Sequence, residues 1–330
     1  MGIDTWAVDF VLLDENDRRI GDAVAYRDRR TEGMDRRVYG IISEEDLYLR
    51  TGIQKQIFNT IYQLMAVKEQ QPGQLEQAKS MLMIPDYFHF LLTGKKVQEY
   101  TNATTTQLAD PVTKDWDMEL IRKLGYPKEI FQKIKKSGFE VGGLSGEIQK
   151  KVGFDCKVVL PPTHDTASAV AAVPTQDEHA LYISSGTWSL MGVETDAPVI
   201  NEETEALNFT NEGGVAGTIR LLKNICGMWL LERCRCDWEE ISYPELIAEA
   251  EASEPFRSLI NPDDALFANP MNMEQAIRTY CADHHQPIPE TRGQVVRCIF
   301  ESLALRYRQV LENLRGLSPR PVEALHVIGG

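Results

Sequence analysis

The chain has 330 residues and a formal net charge of −14, from 35 Lys and Arg residues against 49 Asp and Glu residues. Its composition is that of a soluble globular protein, and its length allows a large buried core divided over two domains. The acidic balance argues against nucleic acid or an anionic membrane surface as the main partner, although a few backbone donors could still form a local phosphate site. No apolar run approaches the ~20 residues that span a bilayer and no secretory leader precedes the first strand, so we expect a cytoplasmic protein.

The sequence predicts reduced cysteines and no metal site. None of the six cysteines forms a C-x-x-C pair, and Cys234 and Cys236 have no matching second pair, which is a poor zinc signal. Cys281 and Cys298 flank a polar loop and could approach each other, but a disulfide is not expected in a cytosolic chain. His284, which precedes His285, has no acidic residue at a spacing typical of metal ligands and is predicted to lie at the surface.

The first half of the chain predicts a strand pair followed by helices. Residues 3–13 are β-branched and aromatic and favour a strand, and residues 18–25 favour a second one after an acidic turn. The Thr-rich residues 100–108 favour a capping and turn role, and residues 142–146 favour a loop. Helices are predicted at 44–50, 58–70, 74–82, 85–93, 116–124 and 127–136, the fourth ending at Gly94.

The central stretch, residues 158–170, combines an apolar run with a polar turn. Pro161 and Pro162 end the run, because proline donates no backbone hydrogen bond. His164 and Asp165 follow, and small residues then favour a close-packed helix. Asp165 is therefore predicted at or just inside the helix start, where free N–H groups and the helix dipole favour a carboxylate. A capping role is the commoner explanation of such a residue, and a catalytic base is the alternative.

The next motif, residues 182–192, predicts a hairpin with two apolar flanks around Ser184, Ser185, Gly186 and Thr187. Such a turn offers hydroxyls and backbone N–H groups to an anion such as phosphate. An ordinary glycine turn is the alternative. A carboxylate-bearing turn followed at once by an anion-suited hairpin is stronger evidence than either motif alone.

The remaining residues predict a second α/β domain. The polar residues after Pro174 mark the boundary, which gives domains 1–174 and 175–330. Asn224 is placed to cap a helix that contains residues 228–231. Strands are predicted at 208–214, 215–221 and 323–328, and helices at 243–252, 273–283 and 291–314, the last with an apolar stripe typical of a core helix.

Taken in order, these motifs resemble the FGGY carbohydrate kinases, and among them the kinases of L-rhamnulose. The resemblance is carried by residues 164–170 and 182–192 and by the stretches that begin at Gly2, Pro85, Tyr100, Asn211 and Leu222, so it runs from the first residue to the last. It implies an α/β fold of two ribonuclease-H-like domains, of the actin/hexokinase type, with an interdomain cleft. In that family a Gly-rich phosphate loop precedes the segment matched here and an adenosine-binding segment follows it, so we expect a chain truncated at both ends.

The resemblance also implies ATP-dependent phosphorylation of L-rhamnulose at its 1-hydroxyl, with Asp165 as the residue that accepts the proton. His164, Asp165 and Thr166 would bind the ketose, and Asn224 would contact sugar hydroxyls. Ala7 stands where the family's substrate contact is commonly Gly, and its methyl group would narrow the pocket.

On the nucleotide side, the resemblance assigns Thr187 to the ATP phosphates and Gly330 to the adenosine loop. Glu232 stands where Gln is common and would repel phosphate unless it faces ribose or solvent. Mg²⁺ would bridge the phosphates through few protein ligands. Because the first phosphate loop is not among these residues, we expect little kinase activity from the 330 residues alone.

Four other functions are alternatives to this hypothesis. A non-catalytic sugar-binding relative and a kinase of another ketose share the same motifs. An actin- or chaperone-like ATPase shares the fold family, but the motifs around Trp6, His164 and Asn224 argue against it. A serine hydrolase is disfavoured because no G-x-S-x-G elbow occurs. The oligomeric state does not follow from the sequence.

Overall fold

The computed structural model describes residues 1–175, 180–238, 241–319 and 321–329. The chain forms two compact units: unit 1 comprises Met1–Pro174 and Glu194–Leu222, and unit 2 comprises Thr175–Val193 and Lys223–Gly330. The chain thus enters unit 2, returns to unit 1 and enters unit 2 again. The functional domain limits 1–174 and 175–330 remain a prediction.

Strands occur in both units. Unit 1 contains a three-stranded sheet of order β2–β1–β3, in which the fully buried β1 is antiparallel to both neighbours. In unit 2, β10 is antiparallel to β11 and parallel to β14. The strands are β1 (Phe10–Leu13), β2 (Arg19–Ile20), β3 (Ser80–Met83), β4 (Gln98–Glu99), β5 (Ala109–Asp110), β6 (Asp115–Trp116), β7 (Ile134–Lys135), β8 (Glu140–Gly143), β9 (Lys157–Val159), β10 (Ala180–Ser185), β11 (Trp188–Thr195), β12 (Thr210–Gly213), β13 (Ile219–Cys226) and β14 (Ala324–Gly329).

Local signals mark the start of α2 and the end of α5. Ser43 caps α2 by accepting a hydrogen bond from Asp46 N at 3.0 Å, and Gly94 ends α5 in the left-handed conformation. The helices are α1 (Met34–Tyr39), α2 (Glu44–Thr51), α3 (Thr60–Gln70), α4 (Pro72–Gln77), α5 (Ile84–Thr93), α6 (Tyr100–Thr104), α7 (Met118–Leu124), α8 (Gly146–Val152), α9 (Asp165–Ala171), α10 (Glu202–Ala206), α11 (Trp229–Arg235), α12 (Tyr243–Glu251), α13 (Met273–Asp283) and α14 (Arg292–Leu317). Within the described residues, none of them combines the length and apolarity needed to cross a bilayer.

Two helix predictions in unit 1 are wrong. The helix predicted at 74–82 ends at Gln77, and its last residues form β3, which pairs with β1. The helix predicted at 127–136 is a short 3₁₀ turn followed by β7. Both errors concern short apolar runs, for which periodicity does not separate a helix from a buried strand. The segments at 100–108 and 142–146 were predicted without regular structure but contain α6 and the end of β8.

The predicted first strand is shortened by a turn. Of residues 3–13, only Phe10–Leu13 forms a strand, and of residues 18–25 only Arg19–Ile20 does. Val8 has a positive φ of 64°, and Asp9 N donates to Ala7 O at 2.9 Å, so the backbone turns immediately before β1.

The predicted capping role of Asn224 is also wrong, because β13 continues through this residue and α11 begins at Trp229. Two main-chain carbonyls serve this helix start instead. Gly186 O accepts from Met228 N at 3.0 Å and Thr187 O accepts from Trp229 N at 3.1 Å. The six cysteines, all within the described residues, are free thiols.

Candidate functional site

Residues 163–166, here called the His-Asp segment, connect the end of the β9 region to α9 in unit 1. Thr5 pairs with this segment: its N–H donates to Thr163 O at 3.0 Å, and its carbonyl accepts from Asp165 N at 2.8 Å. Because Thr5 is paired with the His-Asp segment, the next residues, Trp6 and Ala7, begin beside that segment.

Glu99 fixes the same segment from the other side. This carboxylate is fully buried, and its Oε2 accepts from Thr163 N and Oγ1, each at 3.0 Å. The same oxygen accepts from Thr101 N at 2.9 Å and Thr101 Oγ1 at 2.5 Å. The Thr101 hydroxyl in turn accepts from His164 N at 3.2 Å. A buried carboxylate with this many donors is fully satisfied, so it holds the backbone rather than taking part in chemistry.

Asp165 is the first residue of α9, and His164 is the N-cap residue, so the predicted position at or just inside the helix start is confirmed. The Asp165 side chain is 55% exposed. Its Oδ1 accepts from Thr166 N at 2.6 Å and Thr166 Oγ1 at 3.3 Å. No hydrogen bond from the described residues reaches Oδ2. The carboxylate is thus oriented through one oxygen, and the other can accept a hydrogen bond from a ligand.

His164 is buried and lies between two carboxylates of unit 1. Its Nε2 is 3.6 Å from Asp165 Oδ1, and its Nδ1 is 3.2 Å from Glu212 Oε2. Arg220, which is fully buried, donates from Nη2 to Glu212 Oε2 at 3.0 Å and from Nε to Gly213 O at 3.0 Å. Burial acts to raise the pKa of Glu212, but the hydrogen bond with His164 and the charge of Arg220 outweigh it and lower that pKa below its ordinary value.

Sequence reasoning missed Glu212 and Arg220 as site residues. The two are direct cross-strand partners in the β12–β13 hairpin. One signal was available: Arg220 interrupts the apolar run of Ile219, Leu221 and Leu222. A charged residue inside a buried strand needs a partner, and the nearest acid across the turn is Glu212.

Ala7 belongs to the turn before β1, and this turn is held by buried Asp9. Asp9 Oδ2 accepts from Trp6 Nε1 at 2.8 Å, and Oδ1 accepts from Gln63 Nε2 at 3.1 Å. Burial raises the pKa of Asp9, while these hydrogen bonds act in the opposite direction. Ala7, His164, Asp165 and Thr166 all lie in unit 1.

Gly186 and Thr187, here called the Gly-Thr turn, join β10 to β11 in unit 2. Both are exposed, and the hairpin predicted from the sequence is confirmed. Gly186 N donates to Trp188 O at 2.8 Å. The Thr187 hydroxyl has no hydrogen-bond partner in the described part of the chain, so it can serve a ligand.

The other predicted nucleotide and sugar residues of unit 2 differ in their surroundings. Asn224 is half-buried in β13, and its buried Oδ1 has no hydrogen-bond partner among the described residues. Glu232 on α11 accepts from Arg235 Nη1 at 3.0 and 3.2 Å and from the Tyr243 hydroxyl. Arg235 thus offsets the negative charge expected to repel phosphate. Gly330 lies outside the described residues.

The described residues contain no group of three or more His, Cys, Asp or Glu side chains that could hold a metal ion.

Solved structures define the fold class. A ligand-bound xylulose kinase from Lactobacillus acidophilus superimposes with a TM-score of 0.80 at 18% identity, covering 99% of this chain and 66% of that one. A gluconate kinase from the same organism gives a TM-score of 0.79 at 18% identity with the same coverage. The fold is the two-domain α/β fold of sugar kinases, of the actin and hexokinase type, as predicted.

Sequence comparison is more specific. The patterns of the FGGY family of carbohydrate kinases match residues 1–172 (N-terminal domain) and 181–330 (C-terminal domain). Rhamnulokinases from Bacteroides thetaiotaomicron and Oceanobacillus iheyensis are 58% and 49% identical over the whole chain, which spans 68% and 70% of their lengths. The chain belongs to the FGGY family of carbohydrate kinases.

Proposed function

We propose that this protein phosphorylates L-rhamnulose at its 1-hydroxyl with ATP as the phosphoryl donor, and that it acts in the cytoplasm. The observation that carries the proposal is the carboxylate of Asp165, whose side chain is 55% exposed at the start of α9, whose Oδ1 accepts from Thr166 N, and whose Oδ2 accepts no hydrogen bond from the described residues. The identity to two rhamnulokinases supports the choice of sugar, because 58% and 49% identity extend over the whole chain. No nucleic acid or membrane partner is needed for this reaction.

The predicted site residues of unit 1 have different roles in this proposal. Asp165 accepts a hydrogen bond from the 1-hydroxyl of the sugar and so directs the hydroxyl oxygen at the phosphorus atom. Asp165 then takes the proton of this hydroxyl, and such base assistance is typically worth ~10²–10⁴ in rate. His164 and Thr166 hold neighbouring hydroxyls of the ketose. Ala7 limits the width of the pocket by one methyl group relative to glycine.

The remaining proposed roles belong to residues of unit 2. ATP would supply the phosphoryl group, and Mg²⁺ would offset the negative charge of its phosphates with few protein ligands. Thr187 would bind a phosphate oxygen through its free hydroxyl, and Asn224 would contact sugar hydroxyls through its unpartnered Oδ1. Glu232, neutralised in part by Arg235, would face the nucleotide, and Gly330 would contribute to the adenosine site.

The exchange Asp165→Asn tests the proposal, since it keeps the side-chain shape and removes the base. We expect kcat in an ADP-release assay with L-rhamnulose to fall about 10²–10⁴-fold, while calorimetric sugar affinity changes little. Glu44→Gln is the matched control, because Glu44 is also the first residue of its helix, α2. An unchanged kcat in Asp165→Asn would show that Asp165 is not the base.

The same assay separates the competing functions. Sugar binding with no effect of ATP would favour a non-catalytic sugar-binding relative, and turnover with a different ketose but not L-rhamnulose would favour another substrate.

A further inference from the structure

One carboxylate of unit 2, that of Asp263, joins two elements that are far apart in the sequence. Its Oδ2 accepts from Arg306 Nε at 2.8 Å and lies 2.7 Å from Arg306 Nη2, and this arginine belongs to α14. Its Oδ1 accepts from the main-chain N–H of Cys226 at 3.0 Å, and Cys226 is the last residue of β13. The carboxylate therefore uses one oxygen for α14 and the other for the end of β13.

This carboxylate is held in one orientation. The side chains of Asp263 and Arg306 are only 21% and 18% exposed, and hydrogen bonds between charged groups are stronger than those between neutral ones. The main chain that carries the carboxylate is held as well, because Asn261 Oδ1 accepts from Asp263 N at 3.2 Å. The acceptor that Asp263 offers to Cys226 is thus fixed from two sides.

The end of β13 needs such support. β12 pairs with β13 as far as Leu222, and the last four residues of β13 belong to unit 2. Asn224 lies two residues before Cys226, and residues two apart in a strand point to the same face. The ends of secondary structure elements fray unless they are tied down. By accepting the N–H of Cys226, Asp263 limits the movement of the backbone at Asn224.

The amide of Asn224 depends on this backbone. Its buried Oδ1 has no hydrogen-bond partner among the described residues, so none of them anchors this atom directly. On the other side of Cys226, the N–H groups of Met228 and Trp229 donate to the carbonyls of the Gly-Thr turn. Asp263 therefore acts on the middle of a segment that runs from the proposed sugar contact to that turn.

We propose that Asp263, held by Arg306, is a positioning residue that fixes the end of β13 and thereby places the amide of Asn224 for a hydroxyl of the sugar. The consequence for sugar binding rests on the proposed function, whereas the placement of the Asn224 amide is a property of the chain alone.

The test follows the side-chain amide of Asn224 by ¹⁵N NMR, with its signals assigned by their loss in Asn224→Ala. We expect Asp263→Ala to shift these signals and to accelerate hydrogen exchange at the Cys226 amide, because the acceptor of this N–H is removed. Calorimetric L-rhamnulose affinity should fall about 2–10-fold, which corresponds to one hydrogen bond. Asp263→Asn keeps a carbonyl oxygen for the Cys226 N–H and should restore most of the affinity.

A double variant separates positioning from a general loss of stability. If Asp263 acts on the sugar through Asn224, Asp263→Ala should cause no further loss of sugar affinity in a chain that already carries Asn224→Ala. A purely structural role would give equal losses in both backgrounds.

Glu249→Ala is the matched control. Glu249 is also an acid of unit 2 that pairs with an arginine of α14, since its Oε2 accepts from Arg292 Nε at 2.9 Å. Unlike Asp263, its carboxylate accepts no main-chain N–H among the described residues. We expect Glu249→Ala to leave the Asn224 signals and sugar affinity unchanged.

Three outcomes would overturn the positioning role of Asp263. They are unchanged Asn224 signals in Asp263→Ala, equal losses of sugar affinity in the two backgrounds, and a Cys226 amide that exchanges freely in the unmodified chain. The third applies even if Asp263→Ala fails to fold. Shifted Asn224 signals in a chain that binds no ketose would overturn the proposed function but leave the positioning role standing.

Discussion

The His-Asp segment of unit 1 and the Gly-Thr turn of unit 2 both carry predicted site residues, but they are built in opposite ways. The His-Asp segment is held by Glu99, Thr101 and Thr5 through buried hydrogen bonds to its main chain. The Gly-Thr turn is exposed, and among the described residues its main chain is hydrogen-bonded only to Trp188 and to the start of α11.

The difference between the two segments matches the positional precision that their proposed roles, base and phosphate binding, require. A base has to hold its oxygen within about 0.5 Å of its productive position, and the buried support of Asp165 agrees with its proposed role as the base. A phosphate oxygen has several equivalent acceptors and tolerates a less constrained donor. Substitutions near Asp165 should therefore affect both stability and function, whereas substitutions in the Gly-Thr turn should affect function alone.

The largest effect is expected from Glu99→Ala, which leaves the N–H and hydroxyl donors of Thr101 and Thr163 without an acceptor in a buried position. Unpartnered buried donors cost about 1–3 kcal/mol each, so we expect the loss of an acceptor for these four donors to lower the unfolding free energy by about 4 kcal/mol or more. Urea unfolding measures the loss, and faster hydrogen exchange at the Thr163 and His164 amides locates it.

Two variants define the reference for this measurement. Glu99→Gln keeps one carbonyl oxygen and should fall between the alanine variant and the unmodified chain. Glu119→Ala removes an exposed acid of unit 1 and should change little. A Glu99→Ala variant with unchanged amide exchange in the His-Asp segment would show that Glu99 does not support it.

Unit 2 also contains a buried charge, and its prediction concerns pH. Burial and the charge of Arg306 lower the pKa of Lys223 from its ordinary 10.5 to about 8, although Asp263 acts in the opposite direction. Between these two values the unfolded chain binds more protons than the folded one, so this group makes the unfolding free energy rise with pH.

Lys223→Met removes that dependence. Relative to this variant, the unmodified chain should gain up to about 3 kcal/mol of unfolding free energy between pH 8 and pH 10.5. Urea unfolding at several pH values measures the gain, with the exposed Lys151→Met as control. Equal slopes in Lys223→Met and the unmodified chain would mean that Lys223 is charged in the folded protein throughout this range.

Elements set by local rules were predicted from the sequence. The helix predicted at 273–283 is α13 (Met273–Asp283), Gly94 ends α5 as predicted, and Asp165 begins α9. In each case the deciding signal lies within a few residues: an apolar period, a glycine that adopts positive φ, or a proline followed by a polar turn.

Features that depend on residues far apart in the sequence were not predicted. β3 is a strand because it pairs with β1, and α11 starts at Trp229 because carbonyls of the Gly-Thr turn accept its first N–H groups. The contact between His164 and Arg220 joins residues 56 positions apart. Such contacts depend on how the chain folds back on itself, so periodicity and motif spacing do not reveal them.

The smallest effects come from one exchange made in both regions, Thr→Val, which removes a hydroxyl and keeps the shape. The hydroxyl of the buried Thr101 donates to Glu99 and accepts from His164 N. Thr101→Val should therefore cost about 1–3 kcal/mol in unfolding free energy and weaken L-rhamnulose binding. Urea unfolding and calorimetry with the sugar measure both effects.

Thr187→Val should change the unfolding free energy by less than about 0.5 kcal/mol, because its hydroxyl is exposed and bonds to none of the described residues. It should weaken ATP binding about 2–10-fold, since one hydrogen bond to a phosphate oxygen is lost, and leave sugar binding unchanged. Equal losses of stability in the two variants would contradict the contrast between the regions. Unchanged ATP affinity in Thr187→Val would show that the Thr187 hydroxyl does not contact the nucleotide.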